Sequence, residues 1–336
     1  MHAILAPEPG GPEALRITEV ERPAPGPGEV LVRVVAAGVN RADILQREGH
    51  YPPPPGHPDI IGLEVSGVVA ELGEGVTGWR PGQECLVLLA AGGYAEYVVA
   101  PAGQLVPPPP GVDLVEAAGL LEVAATVVSN MDLARLSAGD VLLVHGGAGG
   151  VGSFAIQYGK ALGCTVLTTA GSAENLDYCR ALGADHAIDY HGDWVATVME
   201  VTDRHGADVI LDIMGAQYLP LNVRALAVGG RQVTIGLQGG RKGELDLGAL
   251  LRKRASIHAT SLRFRPVAEK AAICERVTRS VWPMLAEGLI QPLHTQRVPF
   301  NEVRRAHELM AAPGHRGKIV LVVDEASGAG STRRTE

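Results

Sequence analysis

A chain of 336 residues that is 46% hydrophobic, with a formal charge of −8, has material for sizeable cores and by length suggests two domains. The acidic balance argues against a general nucleic-acid binder. No apolar run approaches the roughly 18–20 residues of a membrane span. Met1-His2-Ala3 leads straight into a strand-like pattern without a basic n-region and apolar h-region, so a cytoplasmic protein is expected. Cys85, Cys164, Cys179 and Cys274 stand far apart without a C-x-x-C spacing. Neither a disulfide framework nor a structural zinc site is expected from them, and all four read as core thiols.

The first 120 residues read as β-rich. Short β-branched runs occur at Glu29–Val35 and Val65–Ala70, and the pattern continues at Cys85–Leu89 and Ala95–Val99. Turn-rich stretches at 23–28, 52–56 and 73–78 separate them, and a proline run at 107–110 closes the region. Helical periodicity is confined to about Arg41–Arg47.

From about Leu121 the pattern changes to alternating helix and strand. A helix near Glu122–Leu136 precedes the strand Val141–Val144, which runs into Gly147-x-Gly149-x-x-Gly152. Beyond the glycines, Val151, Ala155, Tyr158 and Leu162 recur at helical spacing. Strand, glycine turn and helix in this order form a dinucleotide fingerprint. One glycine makes the tight turn, one admits the pyrophosphate and one lets helix and strand pack closely. The phosphates then meet free N–H groups at the helix N-terminus. Further strands are expected at Thr165–Thr169, His186–Ile188, Asp208–Ile213, Arg231–Ile235 and Ser256–Thr260, with a helix at Ala173–Leu182. This alternation means a parallel sheet covered on both faces.

The chain continues with a helix over Pro266–Leu289, strands at Gln291–Val298 and Lys318–Val323, and a helix at Asn301–Met310. These segments return to the first domain. The expected division is therefore 1–120 with 263–325 as one domain and 121–262 as the cofactor domain, with a disordered tail at 326–336.

The ordered set of motifs resembles the medium-chain dehydrogenase/reductase superfamily, in its zinc-free quinone oxidoreductase branch. The matching pieces include Gly28-Glu-Val-Leu-Val32, Asn40-Arg-Ala-Asp43, Gly62-Leu-Glu-Val-Ser-Gly67, Gly147–Gly152, Thr169-Ala-Gly-Ser172, Asp212–Gly215 and Gly317-Lys-Ile-Val320. The resemblance implies an α/β chain: a GroES-like β-barrel catalytic domain, an inserted Rossmann domain with a doubly wound parallel sheet, and a cleft between them. Zinc enzymes of the superfamily carry cysteine where this chain has Asn40 and histidine where it has Leu63. An amide is a poor zinc ligand and leucine is none, so no metal is expected. Without a Lewis acid, an already electrophilic acceptor such as a quinone or enone is the expected substrate.

The resemblance also implies roles for individual residues. Asn40 and Tyr51 stand near the acceptor, either able to donate to a developing oxyanion. Tyr51 as a wall of the nicotinamide site is an equally open reading. Cofactor contacts are implied for Thr126, for the turn Gly147, Ala148, Gly149, Gly150, Val151 and Gly152, and for Ser172, Tyr190, Met214, Gly236, Leu237 and Lys318. No carboxylate follows the strand Thr165–Thr169, where NAD-preferring domains place one, so NADPH is favoured. The absence of a lysine near Ser172, and the presence of Glu174, leave NADH possible. Asp43 and Asp212 read as holders of turns.

Two rivals stay open. An enoyl-thioester or alkenal reductase of the same fold would use the basic runs Arg241-Lys242 and Arg252-Lys253-Arg254 as a rim. A non-catalytic RNA-binding or structural role has only that cluster and the single Phe264 to support it, against the charge of −8. Relatives pair sheet edges about a two-fold axis, and Arg231–Leu237 is apolar enough to do so; a homodimer is expected. No nucleic acid or membrane partner is expected.

Overall fold

The computed structural model describes residues 1–323, and the chain divides into two compact units. Within the described residues, one comprises Met1–Ala125, Leu262–Ala286 and Pro292–Val323; the other comprises Thr126–Ser261 with Glu287–Gln291. The inserted unit thus starts at Thr126 rather than 121, part-way along a helix, and closes at Ser261. The tail expected at 326–336 lies outside the described residues.

In chain order, the first unit begins with β1 (His2–Leu5), β2 (Arg16–Glu19), β3 (Glu29–Val39), α1 (Arg41–Arg47), β4 (Glu64–Leu72), β5 (Glu84–Leu88), β6 (Tyr97–Pro101), β7 (Leu105–Val106) and α2 (Leu114–Ala117). Helix α3 (Leu121–Leu133) leads into the second unit. There follow β8 (Val141–His145), α4 (Gly150–Ala161), β9 (Thr165–Ala170), α5 (Ala173–Ala181), β10 (His186–Asp189), α6 (Trp194–Val201), β11 (Ala207–Asp212), α7 (Leu219–Ala225), β12 (Leu226–Thr234), α8 (Leu247–Lys253) and β13 (Ser256–Ala259). The return segment carries α9 (Val267–Ala286), β14 (Thr295–Pro299), α10 (Val303–Ala311) and β15 (Lys318–Val322).

The first unit is built on β3. This strand pairs antiparallel with β4, β6 and β15, in a seven-stranded sheet ordered β14-β15-β3-β4-β5-β7 with β6 also on β3. Its β-branched residues are buried almost throughout, and Val32, Val34, Val39, Ile61, Tyr94 and Leu321 lie in one cluster. Each such burial is worth about 1.5–3 kcal/mol. Here β15 brings the C-terminal segment back beside β3.

The second unit is a six-stranded, wholly parallel sheet in the order β10-β9-β8-β11-β12-β13. The chain winds outward from β8 through β9 to β10, then returns to the other side of β8 with β11. That reversal makes the β8/β11 junction a topological switch point, where such sheets bind ligands beyond the strand ends. Side-chain N-caps at Ser172, Asp193 and Asp246 start α5, α6 and α8.

Several boundaries differ from the sequence expectation for local physical reasons. Strand β12 starts at Leu226 instead of Arg231, because Gly229 takes left-handed backbone (φ +81°) and the ladder with β11 slips there. Helix α9 stops at Ala286, before Gly288 at φ +73°. Strand β14 begins at Thr295 and not at Gln291, since Pro292 has no N–H for a ladder. The apolar stretch Arg231–Leu237, expected at a sheet edge, is a correction. Its strand β12 has β11 on one side and β13 on the other, so the open edges are β10 and β13. No helix among the described residues is long and apolar enough to cross a membrane.

Candidate functional site

The parallel sheet gathers one set of sequence-predicted residues along its C-terminal edge. The turn Gly147–Gly152 follows β8, Ser172 follows β9 and Tyr190 follows β10, while Met214 follows β11 and Gly236 and Leu237 follow β12. Gly146 turns the chain with φ +73°. A Cβ on Gly152 would sit 2.7 Å from Gly147 Cα, which marks close helix–turn packing. A Cβ on Gly149 would meet nothing nearer than Gly146 O at 3.7 Å, so the backbone there is open to a ligand. Ala148 is buried in the turn, while Gly150 and Val151 open α4 behind the N-cap Gly149. The N–H groups of that first turn lack intrahelical partners, and with the helix dipole they favour an anion.

The turn is anchored from beneath. His145 Nε2 lies 2.8 Å from Asn222 Oδ1, and its Nδ1 lies 3.1 Å from Thr169 Oγ1. Thr169 Oγ1 also accepts from Gly146 N at 3.3 Å. The hydroxyl therefore donates to Nδ1, and the ring proton sits on Nε2. Trp194 and Tyr218 pack their rings edge-on to His145, with centroids 4.9 Å away in each case. Burial pushes His145 down to about 4, against the hydrogen bond to Asn222.

At the end of β9, Ser172 Oγ accepts from Asn175 N at 3.2 Å, which leaves its own hydrogen for an incoming acceptor. Tyr190 is half exposed and covers Gly171, where a Cβ would lie 2.8 Å from its Cε1. Asp212, at the end of β11, accepts from Met214 N (2.8 Å), Gly215 N (3.1 Å), Gln232 Nε2 (3.1 Å) and Thr234 Oγ1 (3.1 Å). It holds the turn, and burial raises its carboxyl above the usual range. Met214 O in turn accepts from Gly239 N at 2.7 Å, joining the loops after β11 and β12. Thr126 is buried on α3, and its carbonyl accepts from Asn130 Nδ2 at 2.7 Å.

A second cluster lies in the barrel unit. Ile319 pairs with Val39 and Val65 with Ala37. That register brings Lys318, Asn40 and Glu64 to one end of three adjacent strands, and all three are buried. Lys318 Nζ donates to Asn40 Oδ1 (2.6 Å), Glu64 Oε1 (2.8 Å) and Val39 O (3.3 Å). All three ammonium hydrogens are thus engaged inside the barrel. The cause is Glu64: a fully buried carboxylate requires a counter-charge. Asn40 Nδ2 donates to Glu64 Oε1 at 3.1 Å, and Glu64 Oε2 accepts from Glu122 N at 2.9 Å.

Behind Asn40 stands a chain of buried polar groups. Asp43 Oδ2 accepts from Asn40 N (2.8 Å) and from Tyr94 Oη (3.0 Å). His307 Nε2 approaches Tyr94 Oη at 3.4 Å, and Arg47 donates to His307 Nδ1 at 3.3 Å. Burial raises Asp43 to about 7 against these hydrogen bonds, and burial with the Arg47 charge drops His307 to about 3. Asp43 Oδ1 has no partner among the described residues. Asp43→Asn keeps the accepting oxygen and removes a desolvated charge. We expect its stabilising effect to be about 2–3 kcal/mol larger at pH 8 than at pH 5, because between them Asp43 ionises in the fold near 7 while its unfolded carboxyl is ionised at both, as urea titrations at both pH values will read.

Tyr51 is half buried and gripped by Arg263. The guanidinium donates to Tyr51 O (2.7 Å), Ala90 O (2.7 Å) and Gln46 Oε1 (2.5 Å), and lies 5.0 Å over the tyrosine ring. Phe264 meets the same ring edge-on at 5.2 Å. Arg263, Glu64, His145 and His307 were not singled out from the sequence. The one available signal was Glu64, a carboxylate inside an otherwise apolar strand.

Two family models match the chain: the alcohol dehydrogenase GroES-like domain over residues 26–110 and the zinc-binding dehydrogenase over residues 150–274. A quinone oxidoreductase from Pseudomonas syringae superposes with a TM-score of 0.86 at 30% identity, covering 96% of this chain and 99% of its own. A mycobacterial protein solved with NADPH gives a TM-score of 0.87 at 31% identity, over 96% of this chain and 100% of its own. A mycocerosic acid synthase-like polyketide synthase of Mycobacterium tuberculosis is 30% identical over 95% of this chain, which spans only 15% of that protein's length. The chain belongs to the medium-chain dehydrogenase/reductase superfamily of oxidoreductases.

Membership raises the question of zinc, and the donor set here does not fit it. At the positions compared above, Leu63 offers no donor atom, Asn40 offers an amide held by two neighbours, and Glu64 is tied to Lys318. Burial raises the thiols of Cys85 and Cys274 to about 12 and those of Cys164 and Cys179 to about 11. No step is therefore routed through a metal.

Proposed function

We propose that the chain is an NADPH-dependent, zinc-independent reductase that passes hydride to a quinone or a similarly conjugated carbonyl. The observation that carries this reading is the buried Asn40–Glu64–Lys318 cluster. It presents a neutral hydrogen-bond donor, suited to an acceptor that is already electrophilic. When bound, NADPH supplies the hydride from C4 of its nicotinamide. The turn Gly147–Gly152 holds the pyrophosphate on its backbone, and Ser172 and Tyr190 receive the 2′-phosphate. Thr126, Met214, Gly236 and Leu237 bind the nicotinamide end, while Asn40 and Tyr51 face the acceptor. Tyr51, gripped by Arg263, forms a firm wall whether or not its hydroxyl donates. The site for the 2′-phosphate lacks a lysine and has Glu174 nearby, so NADH is expected as a poorer donor that still works. A cytoplasmic homodimer, joined through an open sheet edge, completes the reading.

A second reading is an enoyl-thioester reductase. The specific observation in its favour is the 30% identity to a polyketide synthase across 95% of the chain. Steady-state oxidation of NADPH and NADH against an ortho-quinone, an alkenal and crotonyl-CoA separates the two. We expect turnover with the quinone and a lower KM for NADPH. Reduction of crotonyl-CoA with quinones untouched moves the protein to the second reading, and loss of activity on chelation overturns zinc independence.

A further inference from the structure

We propose that Glu64 and Lys318 are positioning residues that fix the Asn40 amide for catalysis; the proposal rests on the reductase reading above. An ammonium only donates and a carboxylate only accepts. The atom 2.6 Å from Lys318 Nζ is therefore the Asn40 oxygen, and the atom 3.1 Å from Glu64 Oε1 is its nitrogen. A flipped amide would set NH2 against ammonium and oxygen against carboxylate. The ion pair thus permits one orientation.

That orientation leaves a specific resource. Asn40 Nδ2 carries two hydrogens; Glu64 takes one, and the second has no acceptor among the described residues. The ammonium against Oδ1 polarises the amide, which strengthens that remaining donor. Its orientation does not depend on Asn40 alone. Glu64 is tied at its other oxygen by Glu122 N, and the backbone N–H of Asn40 is tied to Asp43.

The surrounding backbone is cut to receive the pair. A Cβ on Gly38 would lie 2.6 Å from Glu64 Cδ, and one on Gly119 would lie 3.0 Å from Lys318 Cε. Side chains at either position would displace the charged groups. Space, register and charge therefore all serve the placement of one amide.

The chemistry needs that placement. Hydride addition breaks the donor C–H bond and forms a C–H bond on the acceptor, and the displaced π pair of the conjugated system ends on the carbonyl oxygen. This oxygen accepts the free Asn40 N–H as its charge develops and then takes a proton from solvent. A donor aimed beforehand is worth about 100-fold or more in turnover.

The test is the double variant Lys318→Met/Glu64→Gln, which removes both charges and keeps an acceptor oxygen for Asn40 Nδ2. We expect a cooperative melt, an NADPH Kd within twofold of wild type, little change in acceptor KM and a kcat about 100-fold lower. Asn40→Asp should fall by the same factor, and adding the double variant to it should lower kcat no further. A folded double variant with kcat within threefold of wild type overturns the proposal. Should the double variant not fold, the isosteric Glu64→Gln decides: a fall of about tenfold is expected, and an unchanged kcat overturns it. The side-chain amide signal of Asn40 in nitrogen-15 spectra tests the orientation without turnover. One proton should be shifted by Glu64 in wild type, and two solvent-like protons would overturn the proposal. This arm stands even if no acceptor is reduced, in which case the functional reading fails and the positioning is judged separately.

Discussion

Gly149→Val is expected to weaken NADPH binding by about 100-fold, or about 2.7 kcal/mol, with little change in melting temperature. The reason is the asymmetry between the glycines of one turn. Gly149 has ordinary backbone (φ −72°, ψ 170°), and a Cβ there has open space around it. A side chain at this position meets no protein atom closely, but it occupies the approach to the N–H groups of α4. Gly152→Ala should behave differently, because its Cβ would press on Gly147 Cα at 2.7 Å. Overpacking of this kind costs about 1–3 kcal/mol, so that variant should lose stability as well as binding. Fluorescence titration with NADPH alongside thermal melts separates the two cases. A Gly149→Val protein that binds NADPH as tightly as wild type would refute the assignment of this turn.

Acidification from pH 7 to pH 3 is expected to remove stability through two buried histidines. Burial holds His145 near 4 and, with Arg47, His307 near 3, both below the usual 6.5. Both are neutral in the fold but protonate when unfolded, so their contribution is complete above pH 6.5. It is lost as pH falls through about 4 and about 3 respectively, by about 3 and about 5 kcal/mol. Asp43 opposes them. Its carboxyl is raised to about 7, so its contribution is complete below pH 3.8 and lost as pH rises through 7. The wild-type loss is therefore a difference, on the order of 4 kcal/mol. Asp43→Asn removes the opposing group and should make the dependence on pH steeper. Urea midpoints at half-unit intervals of pH measure this, and a flat profile in both proteins would show that the histidines titrate normally.

The placement of the candidate cofactor residues at the strand ends was legible in the sequence because local signals define it. A strand of four apolar residues, three glycines at fixed spacing and a periodic helix need no distant partner to be recognised. The residues Ser172, Tyr190, Met214 and Gly236 then fall at strand ends once the alternation of strand and helix is read. The barrel cluster depends instead on contacts across the chain. Lys318 meets Asn40 only because β15 pairs with β3, across 278 positions of sequence. Nothing near Lys318 distinguishes a buried counter-ion from a cofactor ligand. His307 and Arg47 are joined in the same way across 260 positions. The strand edge was misread for a related reason: Arg231–Leu237 is apolar because sheet strands flank it on both sides, and that apolarity also suits an interface. Proline and glycine explain the shifted ends of α9, β12 and β14, which depend on single backbone positions.

The four thiols have a bearing on durability. Quinones and enones alkylate nucleophilic sulfur, and the attacking species is the thiolate. Cys85, Cys164, Cys179 and Cys274 are all buried, and burial holds each far towards the neutral thiol at physiological pH. A catalyst that handles such electrophiles is exposed to self-inactivation with every encounter. This chain offers them no ionised sulfur while folded. On the reading proposed above, the chemical lifetime of the chain among such electrophiles is tied to the integrity of its cores, because partial unfolding would expose these thiols to arylation.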